Sequence, residues 1–204
     1  MSLIKEIQRK SFHLLLIIVP IIFYNYGKNI GLAIFVPITA ILVWLDFSRR
    51  SNDKIQNFFV RFFGKIMRDH EINDRKLCGA SFVGLAICFN FLLMPMPIAI
   101  TGFLILVFSD SLAALVGKSI ASQPFFEKSF AGSIAFFISA LIIMIAVGIH
   151  YEVKFLFYFF GFFCAFFVCI LEARPSIFKI DDNFMIPTAF SIPMIIFNLL
   201  WSFL

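Results

Sequence analysis

The chain has 204 residues, of which 61% are hydrophobic and only 14% are charged, and its formal net charge is +5. With a mean hydropathy of +0.98, it carries far more apolar surface than a soluble globule of this length can bury. The composition therefore excludes a soluble nucleic-acid-binding protein and predicts a single integral membrane domain over residues 1–204.

Seven apolar segments follow one another, and each approaches the roughly 20 residues that cross the hydrocarbon core of a bilayer. Backbone polar groups in lipid must be satisfied within the segment, so we expect helices rather than open strands. The predicted fold class is all-α, a polytopic bundle of about seven transmembrane helices. The segments are about 12–26, 30–46, 78–94, 96–117, 131–149, 154–172 and 184–203.

The basic residues predict the orientation of the bundle. If the N-terminus is cytoplasmic, the cytoplasmic pieces hold 15 of the 17 Lys and Arg residues, which is a strong positive-inside signal. The basic start resembles a signal peptide, but no small-residue cleavage pattern follows, so we expect a retained first helix. We therefore expect a protein of the bacterial inner membrane whose active site faces the cytoplasm. The cytoplasmic pieces are 1–11, 47–77, 118–130 and 173–183.

The long cytoplasmic loop, 47–77, interleaves phenylalanines with basic residues. That pattern is typical of an amphipathic helix lying in an anionic membrane interface, although an ordinary charged connector remains an alternative. The loop ends in "MRDHE", which includes Arg68 and Glu71 and which alone would indicate no more than a polar loop.

The first polar cluster lies at the start of the chain. Glu6, Lys10 and His13 are spaced i, i+4 and i+7, so they share one helix face, with Arg9 adjacent. A Glu–Lys pair on such a face can be a simple anchor. His13 lies inside the apolar segment, however, and an ionisable residue inside a membrane helix indicates function.

A second cluster brackets the loop after the fourth segment. Asp110 follows a long apolar run and shares a helix face with Ala114 and Gly117. Lys128 stands just before the fifth segment, whose helix start would offer N–H groups and a positive dipole end to a phosphate. A buried carboxylate needs a compensating cation. The cluster therefore predicts a metal-phosphate site, with a structural Asp–Lys pair as the alternative.

A third cluster precedes the last segment and contains Glu172, Asp181, Asp182 and Asn183. Carboxylate and amide oxygens are ligands that Mg²⁺ prefers, and the same residues are also good helix N-caps. Together the three clusters supply carboxylates for a metal, cations for phosphate and apolar walls. That combination indicates phosphoryl or nucleotidyl transfer to a lipid.

The ordered motifs resemble the polyprenol kinase family, which includes dolichol kinase, phytol kinase and the CTP-dependent diacylglycerol kinase. The motifs are "ExxRKxxH" from Glu6, "MRDHE" with "GAS", "SDSLAALVGK", "KSFAGS" and "DDNFMIP". The resemblance covers nearly the whole chain. It implies a multi-pass enzyme that moves the terminal phosphate of a nucleoside triphosphate, CTP above all, onto a lipid alcohol.

The resemblance also implies roles for individual residues. Catalytic roles fall to Asp110, Lys128, His13 and Glu71, and a Mg²⁺ ligand set to Asp110, Asp182 and Asn183. One departure is Ala131, where family members often carry an acid before the glycine. The expected nucleotide and phosphate contacts are Arg9, Lys10, Arg68, Gly117, Lys118, Ser129, Gly132 and Ser133.

Two alternatives remain open at this stage. Phosphatidate cytidylyltransferase is similar in the "D..A...GK" and "KS..G" core, but its Lys-, Arg-, Asp- and Gly-rich terminal signature is replaced here by "DDNFMIPTAFS". A lipid-binding protein without catalytic activity is the other alternative, and Ala131 is its main support. The sequence does not determine the lipid or the oligomeric state.

Overall fold

A computed structural model describes residues 3–64, 72, 77–176 and 180–204, with side chains for all of these except 3–8, 62 and 63. These residues are almost entirely helical, which confirms the all-α class. The helices are α1 (Leu3–Leu14), α2 (Ile18–Ser51), α3 (Asp53–Phe63), α4 (Gly79–Leu93), α5 (Met96–Leu104), α6 (Asp110–Ser119), α7 (Phe130–His150), α8 (Phe155–Glu172) and α9 (Asp182–Trp201).

Four shorter elements connect the helices. A 3-10 turn, Leu15–Ile17, joins α1 to α2, and a π-helical turn, Ile105–Ser109, joins α5 to α6. Two strands of two residues each, β1 (Pro124–Phe125) and β2 (Lys128–Ser129), pair antiparallel just before α7. This small hairpin was not predicted, because two-residue strands leave no periodic pattern in a sequence.

Five helical units in the described residues are long and apolar enough to cross a membrane, with residues 9–51 counted as one unit. The helix Gly79–Leu93 is apolar but shorter. Large apolar side chains cover the outside of the bundle, including Phe155 and Leu199, each 75% exposed. An outer surface of this kind suits lipid rather than water. The predicted count of seven transmembrane helices is not confirmed.

The chain reverses direction inside α2 at Gly27, whose φ of +80° favours glycine. The ring centroids of Phe23 and Phe35 are only 5.7 Å apart, whereas twelve residues of straight helix span about 18 Å. Phe23 also stacks on Phe91 of α4, with centroids 3.8 Å apart. The first two apolar segments therefore lie side by side, and both pack against α4.

Buried polar contacts join the end of α2 to α3 and α4. Asp46 and Arg49 are fully buried and form an ion pair. The other oxygen of the Asp46 carboxylate accepts hydrogen bonds from the backbone N–H of Cys78 and the hydroxyl of Ser81, both at 2.7 Å. Arg49 also donates to Gln56 of α3 at 3.1 Å. These contacts, which we call the Asp46 latch, fix the start of α4 to a carboxylate from another helix.

The cysteine in this latch, Cys78, is 3% exposed. All four cysteines are free rather than disulfide-bonded; Cys78, Cys164 and Cys169 are buried and Cys88 is partly buried, as suits residues that serve as small apolar side chains.

Replacement of Gly31 tests the reversal within α2. A Cβ at this position would lie 2.4 Å from Cε1 of the Phe23 ring, so Gly31→Leu should lower the free energy of unfolding by about 1–3 kcal/mol through overpacking. Thermal unfolding in detergent would measure the loss. Ile30→Leu, at an exposed neighbouring position, is the control, and equal stability of the two variants would contradict the observed packing.

Candidate phosphate-handling site

A cavity of about 410 Å³ opens between α1, α6, α7, α8 and α9. We call it the polar cavity. Its charged lining comes from regions distant in sequence, and most of it belongs to the three predicted clusters. The lining cations are Arg9, Lys10, Lys118 and Lys128, and the lining carboxylates are Asp110, Glu172 and Asp182.

The centre of the site is a buried ion pair between α1 and α6. Lys10 is 2% exposed, and its Nζ donates to Oδ2 of Asp110, which is 7% exposed. The Nε2 atom of His13 lies 3.8 Å from the same oxygen and 3.1 Å from the carbonyl of Leu106. A carbonyl only accepts, so Nε2 carries a proton, and in the neutral imidazole Nδ1 keeps a lone pair. Leu106 belongs to the π-helical turn, a local geometry that is frequent at functional sites.

A second ion pair lies across the cavity. Lys128 Nζ donates to Oε1 of Glu172 at 2.8 Å. Burial alone would lower the pKa of Lys128, but Glu172, with help from Asp182 and Asp110, raises it above its ordinary value. Lys128 therefore stays charged at neutral pH. The other oxygen of Glu172, Oε2, is buried and has no hydrogen-bond partner among the described residues.

The β1–β2 hairpin is fixed to the loop after α8, and this keeps Lys128 beside Glu172. The backbone N–H of Glu127 donates to the carbonyl of Ala173 at 3.0 Å. The guanidinium of Arg174 lies 3.5 Å from the centroid of the Phe126 ring, a cation–π contact. The hairpin thus holds a cation at the edge of the cavity that the linear sequence places 44 residues from its partner.

Two predicted phosphate contacts, Gly117 and Gly132, line the cavity and also allow α6 and α7 to cross closely. A Cβ on Gly132 would lie 2.8 Å from the carbonyl oxygen of Ala113 and 3.3 Å from Cα of Gly117. A Cβ on Gly117 would lie 2.6 Å from Oγ of Ser129. Larger residues would separate the helices and move Asp110 away from Lys128.

The start of α7 differs from the prediction. The N–H of Ala131 donates to Oγ of Ser122 at 3.0 Å, and that of Gly132 donates to Oγ of Ser129 at 3.2 Å. Both groups are therefore engaged, and the expected open anion site at these two positions is not present. Ser129 acts as the helix N-cap. Ser133 is buried and lies outside the lining of the polar cavity.

The predicted metal ligands divide between two places. Asp110 and Asp182 line the polar cavity, whereas Asn183 lines a neighbouring groove and donates weakly to the carbonyl of Gly79 at 3.4 Å. No group of three His, Cys, Asp or Glu residues in the described ranges is assembled for a metal. Glu172, which the third predicted cluster contained but the predicted Mg²⁺ ligand set did not, is the third carboxylate of the cavity. Mg²⁺ typically binds one or two carboxylates plus substrate phosphates, and this donor set fits that mode.

An apolar groove of about 360 Å³ lies next to the polar cavity. Its walls come from α1, both halves of α2, α3 and α4, and Arg9 lines both the groove and the polar cavity. His13 lines the groove while it contacts the Asp110 centre. Arg68 and Glu71, also predicted for the site, lie outside the described residues.

One relative has nearly the same length as this chain. "Uncharacterized protein RP860" of Rickettsia prowazekii (strain Madrid E) is 37% identical over 202 residues, covering 94% of each chain. The chain belongs to the family of that protein. No family model matches this chain, and no solved structure matches it. The resemblance of this chain to the polyprenol kinase family therefore stays a prediction.

Removal of Lys10 tests the buried pair. Lys10→Met leaves the Asp110 carboxylate buried without its cation, so it should lower the free energy of unfolding by about 3–5 kcal/mol. The double variant Lys10→Met, Asp110→Asn should recover much of this loss, because no unpaired charge remains. Thermal unfolding in detergent of the unmodified protein, the two single variants and the double variant gives the coupling energy between the two residues. Strictly additive losses of stability would contradict a direct interaction.

Proposed function

We propose that this protein is a membrane lipid kinase. It transfers the terminal phosphate of a nucleoside triphosphate, CTP in the first instance, to a lipid alcohol such as diacylglycerol or a polyprenol. The observation that carries the proposal is the junction of a polar cavity, lined by cations and carboxylates, with an apolar groove. The predicted cytoplasmic pieces hold 15 of the 17 Lys and Arg residues. This distribution supports an active site at the cytoplasmic face of the bacterial inner membrane.

The cations suit a triphosphate. Catalysis of phosphoryl transfer depends mainly on positioning and on stabilisation of charge on the phosphate oxygens. Arg9, Lys118 and Lys128 would contact the phosphates from different walls of the cavity. Lys10 would act through Asp110, since its own charge is engaged in the buried pair.

The absence of an acid at Ala131 does not leave Lys128 without a carboxylate. Glu172 reaches Lys128 from α8, and its Oε2 remains available for a ligand in the cavity. This arrangement supports catalysis over a purely lipid-binding role, which would not require buried carboxylates next to a triphosphate-sized space.

His13 is suited to receive the proton of the lipid hydroxyl. Its Nε2–H is held by the Leu106 carbonyl, and Nδ1 keeps the lone pair that a general base needs. As the bond from the lipid oxygen to the terminal phosphorus forms, the bond from that phosphorus to the bridging oxygen breaks and the nucleoside diphosphate leaves. The hydroxyl proton passes to Nδ1.

One or two of the cavity carboxylates Asp110, Glu172 and Asp182 would hold Mg²⁺ together with the phosphates, and Asn183 would assist from the groove side. When bound, the metal would neutralise phosphate charge. Asp110 would remain paired with Lys10 through Oδ2.

Labelled nucleotide distinguishes the candidate reactions. We would incubate purified protein in detergent with Mg²⁺ and CTP labelled in either the γ or the α phosphate, together with diacylglycerol, phosphatidate and a polyprenol. Transfer of γ label to a lipid alcohol is the expected result. Transfer of α label to phosphatidate would instead identify a cytidylyltransferase, and lipid binding without either transfer would indicate a binding protein.

Two variants test the carboxylates. Asp110→Asn and Glu172→Gln should each lower the transfer rate by a factor of about 100 or more, because each removes charge from the cavity. Asp53→Asn, at an exposed position on α3, is the matched control and should keep the normal rate. Normal transfer by folded Asp110→Asn would remove Asp110 from the site.

A further inference from the structure

We propose that the end of α2 and the outer face of α3 form a surface that binds anionic phospholipids of the surrounding bilayer in preference to zwitterionic ones. This inference goes beyond the proposed function, because it concerns the lipid that surrounds the protein and not a lipid that reacts. We call the surface the basic rim, and it consists of Trp44, Phe47, Arg50, Lys54, Phe58 and Arg61.

The exposed side of α2 changes in character toward the end of the helix. Nearer the middle of the helix, the large exposed side chains include Ile34, Ile38 and Ile41. Trp44 follows, 64% exposed, and tryptophan is enriched where hydrocarbon gives way to lipid head groups. Arg50 comes last, with its guanidinium carbon 4.7 Å from the centroid of the Phe47 ring. The order from isoleucine to aromatic to arginine marks the level of the head groups on this helix.

The helix α3 begins at this same level. Asn52 is the single residue between α2 and α3, and its side-chain oxygen caps α3 by accepting from the N–H of Lys54 at 2.9 Å. Four residues of chain reach at most about 14 Å, so the backbones of Arg50 and Lys54 cannot be farther apart than that. The first cation of α3 therefore lies close to the last cation of α2.

Contacts on the inner face fix the rotation of α3. Gln56 and Phe59 are buried on that face. Arg49 of α2 donates to Gln56 at 3.1 Å, and its guanidinium carbon lies 5.3 Å from the centroid of the Phe59 ring. Because this side of α3 is held against the bundle, the opposite side is held outward.

The outer face of α3 carries cations on both sides of an aromatic ring. Lys54, Phe58 and Arg61 are spaced i, i+4 and i+7, so they share one face, and all three are exposed. Over residues 44–61, all of them described, the exposed charged side chains are Arg50, Lys54 and Arg61 against the carboxylate of Asp53. The rim therefore has an excess of positive charge.

An anionic phospholipid complements this surface. Basic side chains at the membrane surface attract anionic head groups, and an exposed aromatic ring between them can enter the boundary between head groups and acyl chains. A zwitterionic head group carries its own cation beside its phosphate, so it gains less from the excess positive charge of the rim. The chemistry of the rim thus favours a phosphodiester head group with a net negative charge.

The chain has two tryptophans, and they report on opposite ends of the bundle. Phe59 of α3 lines the same groove as Asn183, near the start of α9. Trp201 ends this helix of 20 residues, about 30 Å from its start. Trp44 therefore reports on lipid at the rim, and Trp201 on lipid at the other end.

Quenching of tryptophan fluorescence by brominated lipid tests the preference. The full-length variant Trp201→Phe, in which Trp44 is the single tryptophan, would be placed in bilayers of phosphatidylglycerol and phosphatidylcholine, with bromine on an acyl chain of one lipid or the other. We expect phosphatidylglycerol to compete for contact with Trp44 roughly fivefold better than phosphatidylcholine, the factor that one cation near an anionic surface supplies.

A matched pair of double variants, each on the Trp201→Phe background, locates the preference. Lys54→Gln with Arg61→Gln removes two exposed cations from the rim and should bring the preference at Trp44 close to one. Lys28→Gln with Lys154→Gln removes the same charge elsewhere, since Lys28 lies about 24 Å along α2 from Trp44 and Lys154 donates to the Ser202 carbonyl at the end of the chain. This control should keep the roughly fivefold preference.

Three results would overturn the proposal. The first is equal competition of the two lipids at Trp44, and the second is a preference that survives the loss of Lys54 and Arg61. The third is an equal loss of preference in both double variants, which would show an effect of total charge and not of the rim. None of these measurements involves phosphate transfer, so failure of the kinase reaction and failure of this inference are observed separately.

Discussion

The buried pair of Lys10 and Asp110 is the interaction on which the site depends. Neither charge can remain in an apolar bundle without the other, so the pair holds α1 against α6. Because α1 is held there, His13 reaches the Leu106 carbonyl and Arg9 lines both the polar cavity and the groove. The Lys10–Asp110 contact therefore also positions Arg9 and His13, the polar residues of α1 that line the groove.

The second ion pair has a different character. Lys128 is partly exposed, with 36% of its side chain accessible, whereas Glu172 is almost fully buried. Its lysine lines the cavity, where the proposed phosphate would bind, and its carboxylate keeps one oxygen without a hydrogen-bond partner in the described part of the chain. Buried acceptors in a purely structural ion pair are usually all hydrogen-bonded. The Lys128–Glu172 pair leaves one buried oxygen without a partner among the described residues, which is more typical of a ligand-binding site.

The Asp46 latch and the reversal at Gly27 position residues that line the apolar groove, among them Cys78 and Phe35. The latch fixes the start of α4 to the end of α2, and Phe59 of the neighbouring α3 lines the groove. The reversal brings Phe35 back beside Phe23. Polar contacts at one end and aromatic stacking at the other therefore give the groove its length, with the cavity at its polar end.

The sequence by itself determined the all-α class, the membrane character and the residues near which chemistry is expected, because hydropathy and helical spacing act over short distances along the chain. It could not indicate that Glu172 pairs with Lys128, that Asn183 faces the groove, or that side-chain hydroxyls occupy the N–H groups at the start of α7. Those facts depend on helix crossings, and Gly117 and Gly132 show why. The sequence reveals two small residues, but only the tertiary structure decides which backbones meet there and which side chains are thereby brought into one cavity.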